Sequence, residues 1–257
     1  MNPGKNLNHD IYIYIYIIIP CFNEEDSICK TLHHLLEVRK DTVIVVVNDG
    51  SSDASAERIR SMMRDDDRIR LIDLPFNTGI GTAVETGLLY AVRHNADYAV
   101  KFDADGQHLP EEIELLLGPL VRGEADMTLG SRFISKIDGF KSTALRRTGI
   151  HFFRFLSYLL TGQAITDSTS GFRAYNREAL AFVSRHYPAF DYPEPEENIL
   201  LKRNHFRIME IPCKMNIRQS GKSSIRPLKA AYYMIKVALA MIMAGLRPPE
   251  KERISKP

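Results

Sequence analysis

The sequence predicts an α/β fold in which helices flank both faces of a single open, mostly parallel sheet. Runs of β-branched and aromatic residues alternate with stretches of helical periodicity, and no internal repeat interrupts them. The 257 residues, 44% of them apolar and 26% charged, suffice for one large domain with a substantial core. Ligands of such sheets bind outside the carboxyl ends of the strands, so functional residues are expected there.

The first two strands are the runs IYIYIYIII (11–19) and VIVVV (43–47), whose continuous apolar character indicates burial on both faces. The spacing of Ile28, Leu32 and Leu35 predicts a helix between them. The later predicted elements are a helix beginning near Ala54, a strand at 70–73, a helix at 81–94, a strand at 98–102, a helix at 109–121 with Pro110 near its start, and a strand at 125–130.

A polar cluster follows each of the first four predicted strands. The four are PCFNEE (20–25), NDGSSD (48–53), LPFNTGIG (74–81) and DADGQH (103–108). Because the carboxyl ends of parallel strands share one edge of the sheet, these loops are expected to converge on one rim. Their convergence indicates a binding site more strongly than any single loop, which is often only a turn or a helix cap.

Asp103 and Asp105 form the most unusual of these clusters. On an extended chain their side chains face the same way, and their repulsion is roughly 4 kcal/mol at about 4 Å with an effective dielectric near 20. Mg²⁺ or Mn²⁺ would turn that cost into binding, with Gln107 adding a neutral oxygen. An Asx-stabilised turn remains an alternative. An EF-hand fails because His108 stands where Gly is needed, and a helix N-cap does not need two Asp.

The NDGSSD cluster can be interpreted as a turn that leads into a helix. Ser51, Ser52 or Asp53 could cap the helix that begins near Ala54. Asp49 is not needed for capping, so it is expected to be free to accept a hydrogen bond from a base or a ribose.

The NTGIG cluster (77–81) resembles only a fragment of a dinucleotide-binding fingerprint. Val84 stands where that fingerprint requires its third glycine. Gly79 and Gly81 are therefore interpreted as positions where the backbone approaches a ligand closely.

Six motifs together resemble those of the family 2 inverting glycosyltransferases with the GT-A fold, in their polyprenyl-phosphate (dolichol-phosphate-mannose-synthase-like) and polysaccharide-assembly branches. In family order they are IIIPCFNEE, VNDGSSD, NTGIGTAVETG, DADGQH, GSRF and DSTSGFRAYNREAL. The resemblance covers about residues 11–226 and implies one Rossmann-like domain over 1–225. It also implies a nucleoside-diphosphate sugar donor, with UDP the expected nucleotide, and Mg²⁺ or Mn²⁺ as the cofactor.

The resemblance assigns roles to residues by position. Asp103 and Asp105 correspond to the family's DXD pair, with Asp105 and Gln107 nearest the metal. The implied nucleotide and substrate contacts are Pro20, Phe22, Asn23 and Glu24 beside the base and ribose, Asp49 accepting from the base, Asn77 and Gly81 lining the nucleotide pocket, and Arg132 with Ser170 to Arg173 bounding the donor sugar and the acceptor side.

Two later segments also resemble the family. Residues 192–212 resemble the acidic helix and following strand of the acceptor site, where Glu196 or Glu194 aligns with the acidic residue. A helix start favoured by the macrodipole is the alternative interpretation of these glutamates. IRQSGKSSI resembles the Arg-x-x-Gly-x-Ser loop, so Arg218 and Lys222 would meet phosphates.

The acceptor remains open between two branches at this point. A hydroxyl acceptor, as on a growing polysaccharide, needs a general base, for which Glu196 or Glu194 is the available carboxylate. A polyprenyl phosphate is already ionised and needs none. In both branches the metal at Asp105 and the cation of Arg218 would stabilise charge on the departing diphosphate.

The C-terminal segment, 226–257, is expected to form an amphipathic, basic tail. Of the 15 residues from Tyr232 to Leu246 only Lys236 and Gly245 are not apolar, and this run is too short to span a bilayer. We expect a helix on an anionic membrane surface, with a membrane-protein partner, an oligomer mate and a plain core helix as alternatives. The basic residues expected at lipid headgroups are Lys229, Lys236, Arg247, Lys251 and Arg253.

Composition adds an expectation about compartment and partners. The three cysteines show no metal-ligand spacing, and His9 and Asp10 precede the first apolar run, so we expect a cytosolic chain without a signal peptide. The formal net charge is only +2, but nine Lys or Arg face two Glu from Arg218 onwards. A peripheral enzyme on the cytoplasmic face of a membrane is expected, with no nucleic-acid partner.

Two other classes of function compete with glycosyl transfer. A sugar-1-phosphate nucleotidyltransferase would carry a glycine-rich loop after the first strand, where this chain has PCFNEE. A non-catalytic sugar-nucleotide binder would not need the DXD pair, Arg218 and Glu196 together.

Overall fold

A computed structural model describes residues 13–134, 144–188, 193–216 and 227–250. The strands are β1 (Ile15–Cys21), β2 (Thr42–Asp49), β3 (Ile69–Leu74), β4 (Tyr98–Lys101), β5 (Met127–Ser131), β6 (Arg173–Asn176) and β7 (Ile208–Pro212). The helices are α1 (Ile28–Val38), α2 (Ser55–Asp65), α3 (Ile80–Arg93), α4 (Ile113–Val121), α5 (Ala144–Thr161), α6 (Arg177–His186), α7 (Glu194–Arg203) and α8 (Pro227–Leu246). The predicted α/β class is confirmed.

The described strands form one seven-stranded sheet in the order β3-β2-β1-β4-β6-β5-β7. β1 pairs in parallel with β2 and β4, β2 with β3, and β5 with β7, whereas β6 runs antiparallel to both of its neighbours. The loops that follow β1 to β4 therefore leave the same edge of the sheet. The expected rim is confirmed.

Two core clusters lie on the two faces of the sheet. Along β1, Ile17 and Ile19 pack with α1, α2 and α4, while Ile18 packs with α3 and α6 on the other face. All three isoleucines are fully buried. This confirms burial on both faces, as continuous apolar strands require.

A third cluster joins α5, α7 and α8. From α8 it includes Val237, Met241 and Ala244, which pack against Phe153 of α5 and Ile199 of α7. The C-terminal segment thus forms the predicted helix, but one of its faces belongs to the core of the protein. Within the described residues, no helix is long and apolar enough to cross a membrane.

Three local predictions differ from the structure. Ala54 occupies the N-cap of α2, one residue after the proposed caps at 51–53, although the Ser55 N–H at the helix start still donates to Asp53 Oδ1 over 3.0 Å. The helix predicted over 109–121 begins as a 3₁₀ turn, Pro110–Glu112, before α4. β6 is not predicted from the sequence, because its four residues include two polar ones and show no apolar run.

Candidate active site

The loops after β1 and β2 are bonded directly to each other. The Asn23 backbone N–H donates to Ser51 Oγ over 3.0 Å, and the Ser52 N–H donates to Asn23 Oδ1 over 2.9 Å. Asn23 has a φ of 53°, a left-handed conformation that asparagine tolerates better than most residues. Asn23 therefore orders the rim, besides any contact with a ligand.

The loop after β3 is held by Asp49. Its Oδ1 accepts from the Thr78 N–H and hydroxyl at 2.7 and 2.8 Å, and its Oδ2 accepts from the Gly79 N–H at 2.9 Å. Asp49 is 2% exposed. The expectation that this carboxylate is free for a base or a ribose is thus wrong, because it is bound to the neighbouring loop.

Gly50 permits the close approach of these two loops. Its φ is +65°, and a Cβ there would lie 2.5 Å from the carbonyl carbon of Phe76. Any side chain at this position would meet backbone and force the loops apart.

The loop after β4 is a turn. β4 ends at Lys101, and the Gln107 N–H donates to Asp105 Oδ1 over 3.0 Å, which closes an Asx turn around Gly106. The extended geometry assumed for Asp103 and Asp105 is therefore wrong. The Asx-turn alternative is present, and it leaves a carboxylate pair at the rim, with Asp105 buried and Asp103 partly exposed.

His108 supports this turn from below as a neutral ring. Its Nδ1 accepts from the Asp103 N–H over 3.0 Å, so the ring proton lies on Nε2, 3.4 Å from Asp103 Oδ2. The ring stacks on Phe172, with the centroids 4.5 Å apart. Burial lowers the pKa of His108, although the charges of Asp103 and Asp105 oppose this effect.

The DSTSGFR segment lies directly against the carboxylate pair. A Cβ on Gly171 would be 3.3 Å from both carboxylate oxygens of Asp103. The segment begins with Asp167, whose side chain is fully buried and binds Arg132 by two hydrogen bonds of 2.7 Å. The structure thus brings Asp103, Gly171 and Arg132 together, although they are far apart in the sequence.

Arg132 is a largely buried cation beside the acidic pair, with its side chain 15% exposed. Burial alone would lower its pKa, but the hydrogen bonds and charge of Asp167, with a contribution from Asp103, raise the pKa above its ordinary value. The guanidinium is therefore charged. A positive charge that Asp167 fixes at the rim, and that interacts with Asp103, is suited to bind an anionic group there.

The three glutamates of α7 point in different directions. Glu194 forms a buried ion pair with Lys101 at the end of β4, and Glu197 lies 3.0 Å from a guanidinium nitrogen of Arg173. Burial raises the pKa of Glu196, and the charge of Arg247, after α8, opposes this effect. The choice of Glu196 or Glu194 as general base stays a prediction. Glu194 is already paired with the ammonium group of Lys101.

Arg173 is fully buried, which corrects its expected role as a substrate contact. Its guanidinium donates to the carbonyl oxygens of Ser170 and Glu194 at 2.9 Å and of Ser168 at 3.2 Å, in addition to pairing with Glu197. Ser170 is 2% exposed. Arg173 thus ties α7 to the turn beside Asp103 and holds that turn in place.

The remaining predicted nucleotide contacts lie around the rim with different exposure. Phe22 and Asn77 are exposed, Pro20 and Glu24 are half-buried, and Gly81 is buried in the first turn of α3. Glu24 accepts a hydrogen bond from the Ser27 hydroxyl over 2.8 Å. Arg218 and Lys222 lie outside the described residues.

The donor chemistry at the turn fits a hard divalent cation. The groups available at Asp103, Asp105 and Gln107 are oxygens, which Mg²⁺ and Mn²⁺ prefer. Among the described residues, no group of three or more His, Cys, Asp or Glu could hold a metal ion. A cation bound here would take its other ligands from substrate and water, as is usual for Mg²⁺.

Four residues that hold the site together are not predicted from the sequence: Lys101, Asp167, Glu197 and Glu210. A lysine between Val100 and Phe102 in a buried strand was a usable signal, because a buried lysine needs an anion nearby. The other three carry no such signal, since their partners are set by long-range packing.

The strand order and the rim of loops at one edge of the sheet are those of the GT-A fold. The structure resembles that of glucosyl-3-phosphoglycerate synthase from Mycobacterium tuberculosis in complex with Mn²⁺, UDP and phosphoglyceric acid, with a TM-score of 0.65 and 18% identity, covering 93% of this chain and 80% of that one. At this identity the likeness shows the fold alone. The predicted GT-A fold is confirmed.

The family model for glycosyl transferase family 2 matches residues 16–183, and the chain belongs to that family. A UDP-N-acetylglucosamine–dolichyl-phosphate N-acetylglucosaminyltransferase from Methanococcus voltae is 33% identical over 214 residues, which cover 78% of this chain and 84% of that one. Polyprenol monophosphomannose synthase from Mycolicibacterium smegmatis is 30% identical over 233 residues, covering 86% and 84%. The predicted family is confirmed, and the chain is a glycosyltransferase.

Proposed function

We propose that this enzyme transfers a sugar from a nucleoside-diphosphate sugar to the phosphate of a polyprenyl-phosphate lipid, with inversion at the anomeric carbon. UDP is the expected nucleotide. The observation that carries the proposal is the charged guanidinium of Arg132, fixed by Asp167 beside the carboxylate pair. The two relatives named for dolichyl phosphate and polyprenol monophosphomannose support this choice of acceptor.

The state of the α7 glutamates favours a phosphate acceptor over a hydroxyl. Glu194 and Glu197 are paired with buried cations, whereas Glu196 is influenced through the charge of Arg247, after α8, which lowers its pKa against the larger effect of burial. A hydroxyl acceptor would need one of them as a general base, whereas a phosphate oxygen is already ionised. Arg132 would bind that phosphate through charge-assisted hydrogen bonds.

Asp103 and Asp105, with Gln107, would hold Mg²⁺ or Mn²⁺, and a bound divalent ion neutralises charge on a leaving diphosphate. Phe22 and Asn77 on the exposed rim would contact the nucleotide, and Asp49 would act by fixing the loop that carries Asn77. Arg218 and Lys222 would add charge-assisted hydrogen bonds to phosphates. In support, the Asn216 N–H, two residues before Arg218, donates to the Gln107 carbonyl over 2.8 Å.

A transfer assay with two lipids tests the proposed acceptor. With UDP-sugars and Mn²⁺, we expect glycolipid to form on undecaprenyl or dolichyl phosphate, together with free UDP. The matched control is the same polyprenol without its phosphate, which should accept no sugar because its hydroxyl, unlike a phosphate oxygen, is not already ionised. Equal transfer to the polyprenol, release of pyrophosphate, or donor binding without turnover on either lipid would each contradict the proposal.

The enzyme would reach its lipid by resting α5 and α8 on an anionic membrane surface. Both helices pack on α7, so their outer faces share one side of the protein. Gly149 lies beside Met234, and Gly245 beside Leu160, so the two helices run side by side in the same direction. Their exposed large apolar side chains are Phe152, Phe155, Tyr158 and Leu159 on α5, and Ile235, Leu239, Ile242, Met243 and Leu246 on α8.

Charge favours a bilayer as the occupant of this apolar face. Arg154 of α5 and Arg247 after α8 are exposed, and the segment that follows carries three Lys or Arg against two Glu. Apolar side chains flanked by cations suit the headgroup and acyl boundary of an anionic leaflet. This would place the enzyme at the cytoplasmic face of a membrane as a peripheral protein.

Vesicle binding tests this membrane surface. The double variant Leu159→Glu with Met243→Glu should bind phosphatidylglycerol-containing vesicles about a hundredfold more weakly, because two apolar side chains of at least about 1.5 kcal/mol each no longer enter the lipid. The control, Leu115→Glu with Val121→Glu, changes two exposed apolar residues of α4 in the same way and should bind like the wild type. Unchanged binding of the first variant, or conversion of a dimer into a monomer by it, would contradict the assignment to lipid.

A further inference from the structure

Glu210, in the middle of β7, accepts several hydrogen bonds from the turn that carries Asp167. Its Oε1 accepts from the Thr166 N–H at 2.9 Å, the Thr166 hydroxyl at 2.7 Å and the Asp167 N–H at 2.9 Å, while Oε2 accepts from the Thr166 N–H at 2.9 Å. One carboxylate thus satisfies two consecutive backbone donors. Hydrogen bonds to an ionised acceptor are about twice as strong as neutral ones.

The sheet places this carboxylate beside the strand that leads to Arg132. β7 pairs in parallel with β5, and Glu210 lies opposite Leu129, three residues before Arg132. The Thr166 hydroxyl gives its proton to Glu210 and so accepts from Ser131 Oγ, 3.0 Å away. The turn is therefore anchored to both strands.

The Thr166–Asp167 turn also fixes the guanidinium of Arg132. Asp167 accepts from Nε and Nη2 of Arg132 at 2.7 Å each, and from the Arg132 backbone N–H at 3.1 Å. These three bonds set the direction of the side chain, because a forked pair of hydrogen bonds tolerates little rotation. A shift of the 166–167 turn would move the guanidinium with it.

We propose that Glu210 is a positioning residue, which acts through the Thr166–Asp167 turn on Arg132 and thereby sets the affinity for the acceptor phosphate. This rests on the proposed function of Arg132. Without the carboxylate, the backbone N–H groups of the turn lose their acceptors and the turn moves. The nucleotide loops and the Asp103–Asp105 turn do not contact Glu210 through any of these bonds, so donor binding should be unaffected.

Steady-state kinetics on the full chain with polyprenyl phosphate and UDP-sugar provide the first test. Glu210→Ala should raise KM for the lipid about tenfold to a hundredfold, because a displaced guanidinium loses a charge-assisted hydrogen bond to the phosphate, with kcat and donor KM within about twofold of wild type. Glu210→Gln should recover most of the affinity, because its amide oxygen can accept the three bonds made by Oε1. The control is Glu112→Ala, which removes another carboxylate that accepts from a backbone N–H, that of Lys214, and should change nothing.

A second variant and a spectroscopic readout separate this inference from the function on which it rests. Glu210→Ala should add no further loss in an Arg132→Lys background. In NMR spectra without substrate, the Arg132 Nε–H should exchange slowly in wild type and in Glu210→Gln but fast in Glu210→Ala. Unchanged lipid KM, additive losses, a protected Nε–H in Glu210→Ala, or equal loss of kcat and both KM values would overturn it. A wild type that does not glycosylate polyprenyl phosphate, yet shows the NMR pattern, would refute the proposed function alone.

Discussion

Asp105→Asn is expected to reduce sugar transfer about a thousandfold while leaving the protein folded. The loss follows because a bound cation is worth several kcal/mol to the leaving diphosphate, and each tenfold in rate corresponds to about 1.4 kcal/mol. Asparagine keeps the oxygen that accepts from the Gln107 N–H, so the turn should survive. Transfer is measured at saturating Mn²⁺, and folding by circular dichroism during thermal unfolding.

A surface substitution of the same kind provides the control for Asp105. Asp65→Asn removes an exposed carboxylate at the end of α2 and should leave transfer unchanged. More than a tenth of wild-type activity in Asp105→Asn, or full wild-type activity in excess EDTA, would contradict a metal-assisted reaction at this turn.

Lys101→Met should have the largest effect on stability of any substitution considered. Lys101 is fully buried, and its loss leaves the carboxylate of Glu194 buried without its cation. Breaking a buried ion pair from one side costs about 3–5 kcal/mol, a large share of the stability of an ordinary domain. Urea unfolding should show this loss as a lower midpoint with little change in slope.

Two further variants isolate the ion pair from the loss of a lysine. Lys40→Met changes an exposed lysine and should leave the free energy of unfolding within about 0.5 kcal/mol of wild type. Lys101→Met combined with Glu194→Leu should recover most of the lost stability, because apolar replacements of buried pairs are often neutral. If Lys101→Met alone is as stable as wild type, α7 is not held by this pair.

The architecture could be predicted where local pattern decides it. The continuous runs at β1 and β2 have no other common explanation than strands buried on both faces, and the shared edge of parallel strands follows from that. β6 could not be found in this way. Pairing with β4 on one side and β5 on the other satisfies the backbone hydrogen bonds of this short segment. Those two neighbouring strands are in place only once the sheet has formed.

The site was predictable in its acidic half and not in its cationic half. Asp103 and Asp105 stand out because two like charges lie two positions apart, whereas the hydrogen bonds of Glu210 to the Asp167 turn depend on the register of β7 against β5. Arg173 shows the opposite failure. Its place in a family motif suggested a substrate contact, but the fold buries it against Glu197.

The central claim is that the turn at Asp105 binds a divalent cation together with a nucleoside diphosphate. The most direct test is an electron paramagnetic resonance titration of free Mn²⁺ against the protein in the presence of UDP. Wild type with UDP should deplete free Mn²⁺ saturably and by much more than UDP alone does. Asp105→Asn with UDP should deplete no more free Mn²⁺ than UDP alone does. Equal depletion by both proteins, or none by wild type, would contradict it.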